Sequence, residues 1–143
     1  MAHKMKSSKA EGKQAQNLYL CQFSYTAQAW QHMLANDKTR DRIKGVEKLV
    51  EKLGGCFPQI TIDCSSCQPQ PREKFGSFGD HDVVVLLAFP NDTKAAAFAM
   101  AIAAGGAVTA FKTTRLMPWP QMMDAMQAAA GAVKAVQYLA PRS

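Results

Sequence analysis

The sequence predicts one α+β domain with the element order βαββαβ, followed by an additional C-terminal helix. The first observation is length, because 143 residues suit a single domain. The second is composition, because a hydrophobic fraction of 48% is ordinary for a globular core. The third is pattern: short apolar segments typical of strands alternate with segments whose apolar residues recur at helical spacing.

The first half of the domain has the pattern strand, helix, strand. Residues 18–23 are aliphatic and aromatic and predict the first strand. Thr26 is a suitable N-cap for a short helix, and a second helical segment ends at Gly54-Gly55. Residues 57–62 predict the second strand, at an edge or a bulge because Pro58 interrupts it. The apolar helical positions are Trp30, Met33 and Leu34, then Ile43, Val46, Val50 and Leu53.

The second half repeats the order strand, helix, strand. Residues 64–77 contain prolines and polar residues and predict an inserted loop. Residues 83–89 are apolar at every position, so both faces of this strand should be buried. Asn91 or Asp92 then caps a helix that reaches Ala104. A fourth strand is expected over residues 107–114 and the C-terminal helix over 119–138.

This element order is that of a ferredoxin-like fold, an antiparallel four-stranded sheet with the helices on one face. The opposite face needs a cover, because soluble monomers rarely expose a large apolar patch. We therefore expect a homodimer that packs sheet against sheet, although the C-terminal helix could cover part of the face instead.

The charge distribution separates a tail from the domain. The formal net charge is +6, and residues 1–16 carry four lysines against one glutamate, which is +3. Residues 1–16 are therefore expected to be a disordered basic tail and residues 17–143 the domain. Such a tail could contact nucleic acid or an anionic surface, but a solubilising terminus is the simpler interpretation, so nucleic acid is not an expected partner. The sequence shows neither a membrane-spanning apolar run nor a secretory signal, which favours a cytoplasmic protein with reduced thiols.

Several short segments, in this order, resemble the GYD-domain family of small bacterial and archaeal proteins. The resemblance covers residues 18–125 and implies a ferredoxin-like fold of the dimeric α/β-barrel type. The resemblance supplies no established catalytic activity, because the family as a whole is functionally uncharacterised. At the family's Gly-x-Tyr-Asp turn this chain has His81 in the tyrosine position. The segments are Ser24-Tyr25-Thr26 with Trp30, residues 46–55, residues 78–85, residues 105–108, Lys112-Thr113-Thr114 and Leu116-Met117.

Two groups of residues have the composition of a reactive site. His81 between two aspartates could be a general base oriented by Asp82, since histidine titrates near neutral pH; alternatively the segment is simply a polar turn. Cys64 and Cys67 have the spacing of half a zinc site or of a redox dithiol. Only two cysteines are local and they open a proline-rich loop, so we expect neither a metal nor a cofactor, although a second chain or His81 could complete a zinc site.

An apolar pocket is the other candidate site. Tyr25, Trp30 and Phe111 could line it together with Met117, Met122, Met123 and Met126, although ordinary core packing explains the same residues. The candidate ligand-binding residues are Tyr25, Trp30, His81 and Lys112.

The sequence contains no complete catalytic set. The first expectation is therefore a non-catalytic homodimer that binds a small apolar or aromatic ligand or acts as an accessory protein. One alternative is a cofactor-free enzyme, a small oxygenase or isomerase, with His81 as base, Asp82 as its orienting group and Lys112 or Tyr25 as polar partner. A third is a nucleic-acid-associated protein that uses the basic tail.

Overall fold

The computed structural model of the chain describes residues 16–36, 43–58 and 74–141. These residues form four strands and four helices. In chain order the elements are β1 (Asn17–Tyr25), α1 (Ala27–Ala35), α2 (Ile43–Lys52), β2 (Lys74–Gly76), β3 (Val83–Phe89), α3 (Asp92–Ala104), β4 (Val108–Leu116) and α4 (Trp119–Val136). Among the described helices, none combines the length and the apolar character needed to cross a membrane.

The four strands form one antiparallel sheet in the order β2-β3-β1-β4. This is the strand order of the ferredoxin-like fold, so the predicted fold class is confirmed. In the register of the two central strands, Leu20 of β1 lies opposite Leu86 of β3. On its other side Leu20 lies opposite Thr114 of β4. The β1–β4 pairing shifts by one residue between Gln22 and Ser24, which is a β-bulge.

The core lies on one face of the sheet. Alternate residues of β1 and β3 point toward this face, because side chains of a strand alternate between its two faces. Helices α2 and α3 cover them with Val50 and Phe98, so the predicted placement of these helices on one face is confirmed. The buried cluster consists of Tyr19, Cys21, Val50, Val85, Leu87, Phe89, Ala95 and Phe98.

Local signals in the sequence explain where the helices begin and end. The Thr26 hydroxyl accepts a hydrogen bond from the Ala29 amide, and the Asn91 side chain accepts one from the Lys94 amide, so both are N-caps. After α2, Gly54 has a φ of +75°. Gly55 approaches β3 so closely that a Cβ would lie 2.6 Å from the Ala88 carbonyl oxygen. A side chain is therefore excluded at Gly55, where the chain turns to join the sheet.

The structure differs from the sequence prediction between α2 and β3. Residues 74–76, placed in the predicted loop 64–77, form β2 because Phe75 pairs opposite Val84 of β3. The strand predicted over residues 57–62 begins differently: Cys56 makes a single bridge to Ala88, and Phe57 and Pro58 extend no ladder. Residues 59–62 lie outside the described residues, as do residues 64–73 of the loop and residues 1–15 of the predicted tail.

Candidate ligand pocket

A pocket of about 470 Å³ lies between the sheet and the helices, near the end of β1 and the start of β4. Its floor includes Phe23 and Tyr25 of β1 and Val108 of β4. Its walls come from α1, α2 and α3, whose contributing residues are His32, Gly45, Val46, Leu49, Ala101 and Ile102, with Gly105 and Ala107 just beyond α3. The volume lies in the range of small-molecule sites, roughly 300–1,000 Å³.

Polar groups are few in this pocket. Only Tyr25 and His32 bring polar side chains to it, and the residues described as lining it include no Asp, Glu, Lys or Arg. A smaller pocket of about 280 Å³ shares His32, Gly105 and Ala107 with it and adds the polar residues Thr26 and Gln28. His32 therefore lies at the junction of an apolar chamber and a more polar one.

Tyr25 is fixed in place by its neighbours. Its ring packs edge-on against Phe23 on one side, with 5.6 Å between centroids, and against Trp30 on the other, with 5.4 Å. The Asp82 carboxylate oxygen Oδ2 accepts hydrogen bonds from the Tyr25 amide at 2.8 Å and from the Trp30 Nε1 at 3.2 Å. Asp82 therefore ties the start of β3 to the end of β1 and to α1, and so positions the aromatic pair beside the pocket.

The predicted ligand-binding residues are not all brought together. Tyr25 lines the pocket, whereas Trp30 packs behind Tyr25 and is 41% exposed. Lys112 lies opposite Gln22 in the register and next to Phe111, whose ring stacks on Phe23. Because neighbouring strand residues face opposite ways, Lys112 points to the other face of the sheet.

His81 lies in the turn before β3 and is half-buried. Among the described residues no hydrogen bond or ion pair to its side chain is present, and both bonds of the Asp82 carboxylate go to Tyr25 and Trp30. The turn itself is held by backbone bonds: the Asp82 amide donates to the Phe23 carbonyl, and the Ser77 amide donates to the Asp82 carbonyl. The assignment of His81 and Asp82 as a catalytic pair stays a prediction. In this structure the Asp82 carboxylate accepts hydrogen bonds from the Tyr25 amide and the Trp30 indole.

The remaining candidates lie elsewhere. Phe111 packs against the buried core cluster. The methionines at 117, 122, 123 and 126 are exposed and do not line the pocket. Cys64 and Cys67 lie outside the described residues. Within the residues that are described, no group of three or more His, Cys, Asp or Glu side chains is placed to hold a metal ion.

Sequence reasoning missed His32, Leu49 and Ile102. The helical pattern put Trp30, Met33 and Leu34 on the inner face of α1, but Ala29 and Met33 are its buried residues and Leu34 is 69% exposed. His32 reaches the pocket because α1 lies over the junction of β1 and β4. A single polar residue in a short helix carries no sequence signal for such a position.

The pKa values of Cys21 and Tyr19, two residues of the core, are raised. Burial raises the pKa of the Cys21 thiol to about 11. Burial is also the largest cause that raises the pKa of Tyr19, followed by the hydrogen bond that its hydroxyl donates to Asp92 Oδ1 at 2.5 Å. Arg115 approaches the same Asp92 oxygen at 3.4 Å. This group joins β1, α3 and β4, and none of its three residues lines either of the two pockets.

Comparison with known proteins agrees with the family resemblance over part of the chain. The family model described as the GYD domain matches residues 64–126. The matched range includes β2, β3, α3 and β4 and the turn at His81. The family-like segments within residues 24–55 lie N-terminal to the matched range. No curated protein and no solved structure matches the chain. Residues 64–126 of this chain are therefore similar to the GYD domain, as the sequence motifs in that range predicted.

Proposed function

We propose that the protein is a non-catalytic homodimer that binds a small, neutral, apolar or aromatic molecule in the pocket between the sheet and helices α1–α3. The observation that carries this proposal is the pocket itself, with about 470 Å³ of space and a mainly apolar lining. Small-molecule sites in proteins typically have this size and are lined mostly by apolar side chains with a few polar groups.

The lining defines the ligand class. Phe23, Val46, Leu49 and Ile102 favour a ring or a branched hydrocarbon body. The Tyr25 hydroxyl and the His32 imidazole can each donate or accept one hydrogen bond. A charged ligand would lose hydration without meeting an opposite charge among the described lining residues. The expected ligand is therefore an uncharged ring system with one or two hydroxyl or carbonyl groups.

The homodimer forms through the sheet face that carries no helix. On this face lie Leu18 and Leu20 of β1, Val84 and Leu86 of β3, and Leu116 of β4. A second copy would remove these side chains from water, which supports association at roughly 25 cal/mol per Å² of apolar surface buried. This arrangement leaves the pocket free, because the pocket lies on the opposite face.

A titration with 2-naphthol tests the binding site. This probe is a fluorescent bicyclic aromatic molecule with one hydroxyl group, and its fluorescence emission changes when it binds in an apolar pocket. The informative variant is Ala101→Phe, which places a ring in the pocket; Ala104→Phe adds the same ring in the same helix turn at a residue that does not line it. We expect Ala101→Phe to weaken binding at least tenfold and Ala104→Phe to leave it within twofold.

Equal binding by the parent and by Ala101→Phe would refute the proposed site, and so would the absence of saturable binding by the parent at millimolar probe. The enzymatic alternative has a different requirement. It needs a ligand within hydrogen-bond reach of His81, and His81→Tyr would then abolish binding, whereas in our proposal this substitution leaves the affinity for 2-naphthol unchanged.

A further inference from the structure

The C-terminal helix α4 is a long apolar element that no other described part of the chain covers. It has 18 residues, and none of those from Trp119 to Val136 is buried. Most helix stability in proteins comes from the packing of an apolar face rather than from helix propensity. A partner that covers the apolar side chains of α4 would therefore stabilise this helix. Its exposed large apolar side chains are Trp119, Met122, Met123, Met126, Val133 and Val136, followed by Tyr138 and Leu139.

The way in which α4 leaves the sheet separates it from its own core. Only Met117 and Pro118 stand between β4 and α4, and Pro118 has extended backbone angles of φ −56° and ψ 144°. Leu116, the last residue of β4, belongs to the sheet face opposite the helices. Helix α4 therefore begins three residues after Leu116, at the edge of the apolar surface formed by Leu18, Leu20, Val84, Leu86 and Leu116, called here the open face.

The charge of α4 argues against a lipid surface as its partner. Between Trp119 and Val136 the helix carries one acidic residue, Asp124, and one basic residue, Lys134. Helices that lie on anionic membranes have a polar face rich in lysine and arginine. A mainly apolar helix with no net charge is instead suited to an apolar protein surface, and the open face is such a surface in the same chain.

The area involved is sufficient for a stable dimer. The exposed fractions of the eight apolar side chains from Trp119 to Leu139 correspond to apolar surface on the order of 900 Å². A standard protein interface buries about 800 Å² on each partner. Two copies related by a twofold axis would form this contact twice, because the helix and the face that it covers belong to the same chain.

We propose that α4 of each copy packs on the open face of the second copy, so that the two chains exchange their C-terminal helices. The inference rests on the homodimer of the proposed function and names the element that holds it together. It also makes α4 the determinant of assembly, while the pocket on the other side of the sheet remains within one chain.

Site-specific cross-linking tests the exchange in the full-length chain. Cys56, Cys64 and Cys67 are first replaced by serine, and single cysteines are then introduced at Thr114 on the open face or at Met126 on α4. A short bis-maleimide should link Thr114→Cys chains to Met126→Cys chains when the two variants are mixed. The control pair combines Met126→Cys with Met100→Cys, an exposed position of α3 on the other side of the sheet, and should give less than a tenth of the product.

Sedimentation of the same samples separates the two proposals. A dimer that gives no Thr114–Met126 product, or links the control pair equally well, overturns the helix exchange but leaves the homodimer. A monomer at high micromolar concentration overturns both. As a second readout, Met122→Glu with Met126→Glu should raise the dimer dissociation constant at least 100-fold, whereas Gln121→Glu with Gln127→Glu adds the same charge and should change it less than fivefold. Equal effects of the two double variants would contradict the apolar contact.

Discussion

Asp82 provides the most direct test of how the pocket wall is held, through the substitution Asp82→Ala. The substitution removes the acceptor for the Tyr25 amide at 2.8 Å and for the Trp30 Nε1 at 3.2 Å. A hydrogen bond to a charged group contributes about 1.5 to 3 kcal/mol net. Trp30 is 41% exposed, so water can satisfy its indole N–H in the variant, and most of the loss comes from the partly buried Tyr25 amide. We expect a loss of about 2 kcal/mol in the free energy of unfolding.

Urea and thermal unfolding measure this loss. About 2 kcal/mol corresponds to a decrease in Tm of roughly 4 to 8 °C for a chain of this size. Asp82→Asn keeps one acceptor oxygen and should lose about half as much. Asp80→Ala is the matched control, because it removes an exposed carboxylate from the same turn and should change the free energy by less than about 0.5 kcal/mol. Equal stabilities of Asp82→Ala and Asp80→Ala would refute the positioning role of Asp82.

A double-mutant cycle between Asp82→Ala and Trp30→Phe isolates the indole contact. The expected coupling is about 0.5 to 1 kcal/mol, because the bond is partly exposed to water. A coupling of zero would mean that Asp82 acts through the Tyr25 amide alone.

Three further predictions concern the core and the turn. Phe98→Leu should lower the free energy of unfolding by about 1 to 1.5 kcal/mol, because Phe98 is 1% exposed. The control Met100→Leu, on the exposed side of α3, should change the free energy of unfolding by less than about 0.5 kcal/mol in the same urea titration. Burial raises the pKa of Cys21 from 9.0 to about 11, so the thiol of the unfolded chain loses its proton at lower pH than the thiol of the folded chain. The free energy of unfolding should therefore fall by roughly 2 to 3 kcal/mol between pH 9 and 11. The Cys21→Ala variant should show a smaller fall, and an equal fall in both proteins would contradict the assignment. His81→Tyr should change Tm by less than about 2 °C, because backbone bonds of Asp82 hold the turn; a larger loss would show that the imidazole packs in the fold.

The fold could be predicted because its signals are local. Thr26 and Asn91 are N-caps by the residue types that cap helices, and the continuous apolar strand 83–89 identifies the centre of the sheet. The prediction was less accurate where tertiary pairing decides the structure. Phe75 sits in a polar, proline-rich segment, and its strand exists because Val84 of β3 offers an unpaired edge.

The site could be predicted only in part. Of the predicted ligand-binding residues, Tyr25 lines the pocket, whereas Lys112 lies on the opposite face of the sheet. The bulge between Gln22 and Ser24 shifts the register, and a shift of one residue exchanges the faces of a strand. His32, Leu49 and Ile102 come from three helices, and their meeting depends on helix packing that no local pattern encodes. The role of Asp82 toward Tyr25 and Trp30 likewise depends on a contact between residues 52 and 57 positions apart.

Binding in the pocket is the central claim, and it is tested most directly by amide NMR spectra of the full-length protein recorded during a titration with 2-naphthol. The account predicts that the largest shifts occur at residues that line the pocket, represented by Tyr25, Leu49 and Ile102, with a saturation curve that Ala101→Phe moves to higher probe concentration and Ala104→Phe does not. Shifts confined to the open face and α4, represented by Leu20 and Met126, with no change at the pocket residues, would contradict it.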